Sequence, residues 1–69
     1  MEWFQILKLA RLNSGLSLRQ VEAKADVSYA YISQLENGKI KEPSFFKMLR
    51  LLSVYNLSVR DMGLKQGEG

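Results

Sequence analysis

A break of three residues, Asp26-Val27-Ser28, separates two helical stretches of the chain and constrains its fold more than any other feature. On both sides of the break, apolar residues recur every three to four positions, which is the spacing of an amphipathic helix. The break supplies a turn residue, an apolar side chain and a new helix N-cap in succession. The following helix must therefore begin at once, at an angle to the preceding one. The sequence predicts a compact corner of two helices.

Helical periodicity continues through the rest of the 69-residue chain, and no stretch alternates in the manner of a β-strand. The pattern predicts a compact all-α domain of five short helices over residues 1–64, followed by a flexible tail at 65–69. We expect the helices at about residues 2–13, 17–25, 28–37 and 44–55, and from about residue 58 onward.

Capping residues set these bounds. Ser17 with Gln20, and Ser58 with Asp61, form the capping-box pattern, in which two side chains satisfy free backbone donors at a helix start. Other residues can take the left-handed conformation that ends a helix, and these are Gly15, Asp26, Gly38 and Asn56. The apolar stripe predicted for the fourth helix comprises Phe45, Met48, Leu49, Leu52 and Tyr55.

Composition excludes most catalytic chemistry. The chain has no Cys and no His, which removes thiol nucleophiles, imidazole bases and the usual zinc ligands, so we expect no enzyme activity, no cofactor and no metal. No apolar run approaches the roughly 20 residues that span a bilayer, and the start of the chain lacks signal-peptide features, which favours a cytoplasmic protein. Ten Lys and Arg against seven Asp and Glu permit an anionic partner.

The segment GLSLRQVEAKADVSYAYISQLENGKIKEPS, residues 15–44, resembles the helix-turn-helix of the Cro and phage-repressor-like DNA-binding family. The specific features of the match are Gly15-Leu16-Ser17, Val27-Ser28, Ile32, Leu35-Glu36-Asn37-Gly38-Lys39 and Pro43. The resemblance implies a five-helix, lambda-repressor-like fold with the helix-turn-helix proper at residues 17–36. It also implies a bacterial or phage-encoded protein whose partner is double-stranded DNA.

In that family, the second corner helix lies in the major groove and reads base edges. Carried over by position, the resemblance implies base contacts by Tyr29, Ala30, Ser33 and Gln34. Gln34 can bond N6 and N7 of an adenine, Ala30 can lie against a thymine methyl group, and Ser33 can donate or accept. The target of Tyr29 stays open.

The resemblance also implies phosphate contacts at the start of the second helix, at the start of the third and in the loop after it. These residues are Ser17, Arg19, Ser28, Tyr31, Gly38 through its backbone amide, Lys39 and Lys41. Tyr31 either borders the DNA backbone or packs beside the second helix. At Leu18, relatives often carry a Gln that bridges phosphate and recognition helix. Either that contact is missing here or Arg19 replaces it.

Two further positions concern the framework behind the recognition helix. Arg11 and Glu36 match a pair that in relatives joins the first helix to the end of the third, so we expect a structural ion pair there. Glu22 stands where relatives usually have Ala, which either tilts the second helix or leaves the Glu22 carboxylate partly buried.

The resemblance implies a transcriptional regulator, most simply a repressor, that binds a palindromic operator as a homodimer. The alternative is a protein-interaction module, antirepressor-like or adaptor, that binds a partner through an apolar surface. Leu9, Leu12 and Phe46 fall outside the predicted core stripes and, together with Tyr29 and Tyr31, could form such a surface. Relatives usually dimerise near the last helices, where this chain has Leu57, Val59, Met62 and Leu64.

Overall fold

The computed structural model describes residues 2–62 and confirms an all-α domain. Met1 and residues 63–69 lie outside the described residues, and with them the predicted tail at 65–69, the end of the predicted domain and Leu64. No strand occurs between residues 2 and 62. The elements, in chain order, are α1 (Trp3–Asn13), α2 (Leu18–Ala25), α3 (Tyr29–Glu36), α4 (Phe45–Val54) and a 3₁₀ helix (Val59–Met62).

The predicted count of five helices is not confirmed, because the structure has four α-helices between residues 2 and 62 and the residues after Ser58 form a 3₁₀ turn. The Asp61 amide donates to the Ser58 carbonyl oxygen at 3.0 Å, which is the i to i+3 bond of a 3₁₀ helix. The Asp61 carboxylate accepts from the Ser58 amide at 2.8 Å and from the Ser58 hydroxyl at 3.1 Å, so the Ser58 oxygen is not used as the cap acceptor. These hydrogen bonds hold the pKa of Asp61 below its ordinary value.

The N-termini of α2, α3 and α4 are capped by serine side chains. At α2 the predicted capping box is present, with Gln20 N to Ser17 Oγ at 3.1 Å and Ser17 N to Gln20 Oε1 at 2.8 Å. Ser28 caps α3, since its hydroxyl accepts from the Tyr31 amide at 3.1 Å. Ser44 occupies the same position at α4. Each serine thereby satisfies a donor that the helix start would otherwise leave free.

Three of the four α-helices end in the same turn, which satisfies their last carbonyl groups. At the end of α3, Lys39 N donates to Gln34 O at 3.0 Å and Gly38 N donates to Leu35 O at 3.1 Å. Equivalent pairs of bonds close α1 and α4. The left-handed residues are those predicted, namely Gly15, Gly38 and Asn56 after these helices and Asp26 after α2.

The core lies where α2 packs against α3 and α4, while α1 packs against α3 and the 3₁₀ helix. Val27, from the three-residue break, is buried in this core. The stripe predicted for α4 was partly wrong, since Phe45 and Leu49 are 59% and 37% exposed. The buried face of α4 is rotated relative to the predicted stripe, so Phe45 and Leu49 lie outside its buried arc. That arc comprises Met48, Leu51, Leu52 and Tyr55.

The left-handed turn after α3 sits against α1. Gly38 has a φ of +70°, and a Cβ built there would lie 2.8 Å from the Phe4 ring. Gly15 has a φ of +72° in the equivalent turn after α1, but a Cβ there would meet nothing within 4 Å. Gly38 is therefore required both by its backbone conformation and by the close approach of Phe4.

The two glycines make a matched pair for a stability test. Gly15→Ala should lower the free energy of unfolding by about 1 kcal/mol, the cost of a left-handed Ala. Gly38→Ala should lower it by at least about 2 kcal/mol, because the new methyl group must also displace the Phe4 ring. Urea denaturation followed by circular dichroism measures both losses. Equal losses for the two variants would show that Phe4 moves aside without cost.

Candidate nucleic-acid interface

The exposed face of α3 is neutral. Ile32, Leu35 and Glu36 form the buried face of this helix. The opposite arc carries the four residues predicted to contact bases, and α3 contains no Lys or Arg. Of these four, Tyr29 is 40% exposed, Ser33 is half-buried, and Ala30 and Gln34 are exposed. This face can therefore offer hydrogen-bonding groups and apolar contact, but no charge.

An ion pair between Arg11 and Glu36 holds the end of α3 on its buried side. Arg11 Nε lies 2.7 Å from Glu36 Oε2 and Arg11 Nη2 lies 3.0 Å from Glu36 Oε1, which is a bidentate arrangement. Arg11 Nη1 also donates to the Leu16 carbonyl oxygen at 3.0 Å. The pair thus joins α1, the turn after α1 and the end of α3.

This ion pair is nearly enclosed, since only 12% of the Arg11 side chain and 5% of the Glu36 side chain are exposed. Enclosure makes desolvation expensive, so the pair is a poor source of net stability, yet removing one partner would leave a buried charge without compensation. The hydrogen bond to Glu36 raises the pKa of Arg11 above its ordinary value, although burial opposes this. The geometry fixes where α3 ends relative to α1.

Tyr55 packs beside this pair with its hydroxyl unpaired. The hydroxyl oxygen is buried and has no hydrogen-bond partner among the described residues. Burial raises the pKa of Tyr55 to about 12, the nearby Glu36 carboxylate adds to the rise, and Arg11 opposes it. Sequence reasoning did not find this unpaired group, because the helical pattern marks Tyr55 only as an apolar position.

The start of α3 is held by α2. Glu22 is half-buried, and its Oε2 atom accepts a hydrogen bond from the Tyr29 amide at 3.2 Å. Ser28 caps the Tyr31 amide. The Ala30 amide is then the first-turn donor of α3 that has no hydrogen-bond partner within residues 2–62. The carboxylate at position 22 thus serves as a second cap of α3.

Arg19 and Tyr29, predicted separately as a phosphate contact and a base contact, touch each other. The guanidinium carbon of Arg19 lies 4.1 Å from the centroid of the Tyr29 ring, which is a cation–π stack between α2 and α3. Leu18, at the position of the Gln common in relatives, packs partly buried against the core instead. Sequence reasoning allowed Arg19 to take over from that Gln, but gave no sign of the stack.

The hydroxyl groups of Ser17 and Ser28 keep a donor after capping. Each oxygen accepts one helix amide, and each hydroxyl hydrogen is not needed for that bond. Both residues are exposed. The cap and the predicted phosphate contact are therefore compatible at each serine.

The loop between α3 and α4 carries two exposed cations, Lys39 and Lys41. Its end is held by Tyr31, whose hydroxyl oxygen accepts from the Ser44 amide at 2.9 Å. Lys47 Nζ lies 4.4 Å from the centroid of the Tyr31 ring. Tyr31 is thus placed against the start of α4, because its hydroxyl reaches an amide that precedes the helix.

The amide of Gly38 is not free, contrary to the expectation behind its predicted phosphate contact. Gly38 follows the C-terminus of α3, and its N–H donates to the Leu35 carbonyl oxygen within the helix-ending turn. The expectation treated the residue as part of a helix start. Lys39 and Lys41, which follow Gly38 in the loop, are exposed.

Two other properties bear on the interface. Within residues 2–62, no group of three Asp or Glu side chains is placed to hold a metal ion. No helix in the same range is long and apolar enough to cross a membrane.

The chain is similar to known helix-turn-helix proteins. A profile of the family described as "Helix-turn-helix" matches residues 7–62. The transcriptional regulator ClgR of Mycobacterium tuberculosis is 33% identical over 63 residues, which are 91% of this chain and 55% of that protein. The chain thus spans about half the length of these curated relatives. The N-terminal DNA-binding domain of SinR from Bacillus subtilis has a TM-score of 0.82 at 27% identity, with 96% of both chains covered.

Tyr55→Phe tests the unpaired hydroxyl behind the interface. Removing it should raise the free energy of unfolding at neutral pH by about 1 kcal/mol, because an unsatisfied buried group disappears. The unfolded chain loses the Tyr55 proton near pH 10, whereas burial raises the pKa of Tyr55 in the folded chain to about 12, so wild-type stability should fall as the pH rises from 10 towards 12. The variant should lose less over that range.

Chemical denaturation at a series of pH values measures this difference. Tyr29→Phe is the matched control, since it removes the hydroxyl of an exposed tyrosine. A Tyr55→Phe protein less stable than wild type at neutral pH would contradict the assignment of an unpaired hydroxyl.

Proposed function

The chain belongs to the helix-turn-helix family of DNA-binding transcriptional regulators, and from this premise we propose that it represses transcription as a symmetric dimer on a palindromic operator. The observation that carries the proposal is the exposed face of α3, which is neutral and is flanked by cations on α2 and on the loop after α3. Base edges are read by hydrogen bonds and apolar contact, whereas phosphates are bound by cations. The distribution of side chains matches this division.

In the proposed complex, α3 lies in the major groove. Gln34 forms two hydrogen bonds with an adenine, through its N6 and N7. Ala30 packs against a thymine methyl group, and Ser33 donates or accepts at a neighbouring base edge. The exposure of Ala30 and Gln34 supports these roles. Ser33 has less freedom, because it is half-buried and its hydroxyl oxygen accepts a long hydrogen bond from Asn37 Nδ2 at 3.5 Å.

Phosphate contacts are assigned to the groups around α3. Arg19, Lys39 and Lys41 supply charge, and the hydroxyl hydrogens of Ser17 and Ser28 supply neutral donors. Such contacts act on any DNA sequence and release counterions, so they give affinity that falls steeply with salt. Tyr31 contributes chiefly by holding the loop that bears the two lysines.

The dimer follows from the small size of one interface. A single recognition helix spans only a few base pairs, which gives too little selectivity against the rest of a genome. Two copies related by a twofold axis bind half-sites one helical turn apart, and the operator is then palindromic. A repressor of this type acts by excluding polymerase from a promoter.

A protein-binding role is the second candidate, and the exposed apolar residues favour it. Phe45 and Phe46 are 59% and 74% exposed, with their ring centroids 6.2 Å apart. Leu9 lines an open groove of about 360 Å³ beside Leu57. Met62, by contrast, is buried within the chain itself and is not available to a partner. Partner binding through these residues would depend little on salt.

Selection from a random duplex pool at about 0.1 M salt tests the DNA-binding proposal. We expect an enriched palindrome whose half-site centres are about 10 base pairs apart, and binding that weakens steeply as salt increases. Weak binding without sequence preference would contradict the proposal and favour the protein-binding role.

Substitutions at the two classes of contact should have different effects. Gln34→Ala should reduce discrimination at one base position by about 1 to 3 kcal/mol, because one bidentate contact is lost. Lys39→Ala or Lys41→Ala should weaken binding to all sequences alike and reduce the slope of log Kd against log salt by about one. Lys24→Ala on the exposed surface of α2 is a charge-matched control, to which no contact is assigned. Gln34→Ala with an unchanged base preference would overturn the role of Gln34.

A further inference from the structure

Tyr29, the first residue of the recognition helix, is held by α2 through two separate contacts. The Arg19 guanidinium covers one face of its ring, with 4.1 Å between the guanidinium carbon and the ring centroid. The Glu22 carboxylate binds its backbone amide at 3.2 Å. Arg19 and Glu22 are one turn apart on α2, so a single helix face restrains both the ring and the backbone of Tyr29.

These contacts matter because Tyr29 is exposed. An aromatic side chain on a helix surface ordinarily changes rotamer freely, and a freely moving ring gives little discrimination when it meets a base. Here one face of the ring is occupied, while 40% of the residue stays accessible. The accessible part is therefore presented in a restricted orientation.

The stack leaves Arg19 able to bind phosphate. A guanidinium donates its five N–H groups within its plane, whereas stacking uses its face. Arg19 forms no salt bridge within residues 2–62, where the recorded pair is Arg11 with Glu36. Its charge is thus not neutralised by a carboxylate of the described chain.

We propose that Arg19 is a positioning residue that acts through Tyr29, holding the Tyr29 ring against the 5-methyl group of a pyrimidine in the major groove. The inference rests on the proposed function and adds a determinant of specificity to it. Arg19 then contributes to sequence preference as well as to phosphate binding. The apolar ring suits the methyl group, which is the one apolar feature of a base pair in that groove.

A thymine-to-uracil scan of the selected operator tests the inference, because uracil lacks the 5-methyl group and keeps every hydrogen-bonding group of thymine. In the wild type, we expect one uracil position per half-site, apart from the thymine assigned to Ala30, at which Kd rises about fourfold, the effect of losing the burial of one methyl group. Tyr29→Ala should abolish the rise at that position. Tyr29→Phe should keep it, because the ring and the stack remain.

Arg19→Lys separates positioning from charge. Lysine keeps the cation for phosphate but lacks the planar group that stacks on the ring. We expect the salt slope to stay and the uracil effect at the Tyr29 position to fall below about twofold. Circular dichroism checks that the variant is folded. An Arg19→Lys protein with the full fourfold effect would overturn the positioning role and leave Arg19 as a phosphate contact alone.

The scan also distinguishes failure of the positioning inference from failure of the proposed DNA-binding function. If the wild type selects no preferred duplex, the DNA-binding proposal itself is wrong. If the wild type binds a selected palindrome with a steep salt slope, and no uracil position depends on Tyr29, only the present inference is overturned.

Discussion

The bidentate ion pair between Arg11 and Glu36 is the interaction on which the geometry of the candidate interface depends. It connects the last turn of α1 to the last turn of α3, and its third hydrogen bond reaches the carbonyl of Leu16, just before α2 begins. Such a pair contributes little net stability when enclosed, but it strongly disfavours any arrangement that separates its charges. The ion pair fixes the position of α3 from its buried face. The exposed face of α3 therefore needs no charged side chain to hold the helix in place.

Local physical rules in the sequence were sufficient to predict most of the framework. The capping box of α2 and the left-handed residues Asp26 and Asn56 follow from side-chain chemistry within four residues, and all are present in the structure. The last predicted helix is a 3₁₀ helix, and local rules do not predict this difference. Its Ser58 and Asp61 fit a capping pattern, but the pattern does not specify whether the next turn is an α-helix or a 3₁₀ helix.

Contacts between distant residues account for what the sequence did not predict. The stack of Arg19 on Tyr29 and the bond from Ser44 to Tyr31 join residues 10 and 13 positions apart, on different elements. Spacing along one helix carries no information about such pairs. The resemblance predicted contact positions residue by residue, but it could not show that the side chains at two of those positions contact each other. It also gave no means of seeing that the Gly38 amide is already bonded.

The Glu22 carboxylate explains why cations beside α3 are the better candidates for the charged phosphate contacts, while the start of α3 offers the neutral hydroxyl of Ser28. A helix start usually attracts an anion through its free amides and its dipole. In this chain that site already holds an anionic oxygen, since Glu22 accepts from the first amide of α3. A phosphate brought to the same point would meet a fixed negative charge and one fewer donor. In the proposed complex, charge for the DNA backbone comes from neighbouring elements, where Arg19, Lys39 and Lys41 are exposed.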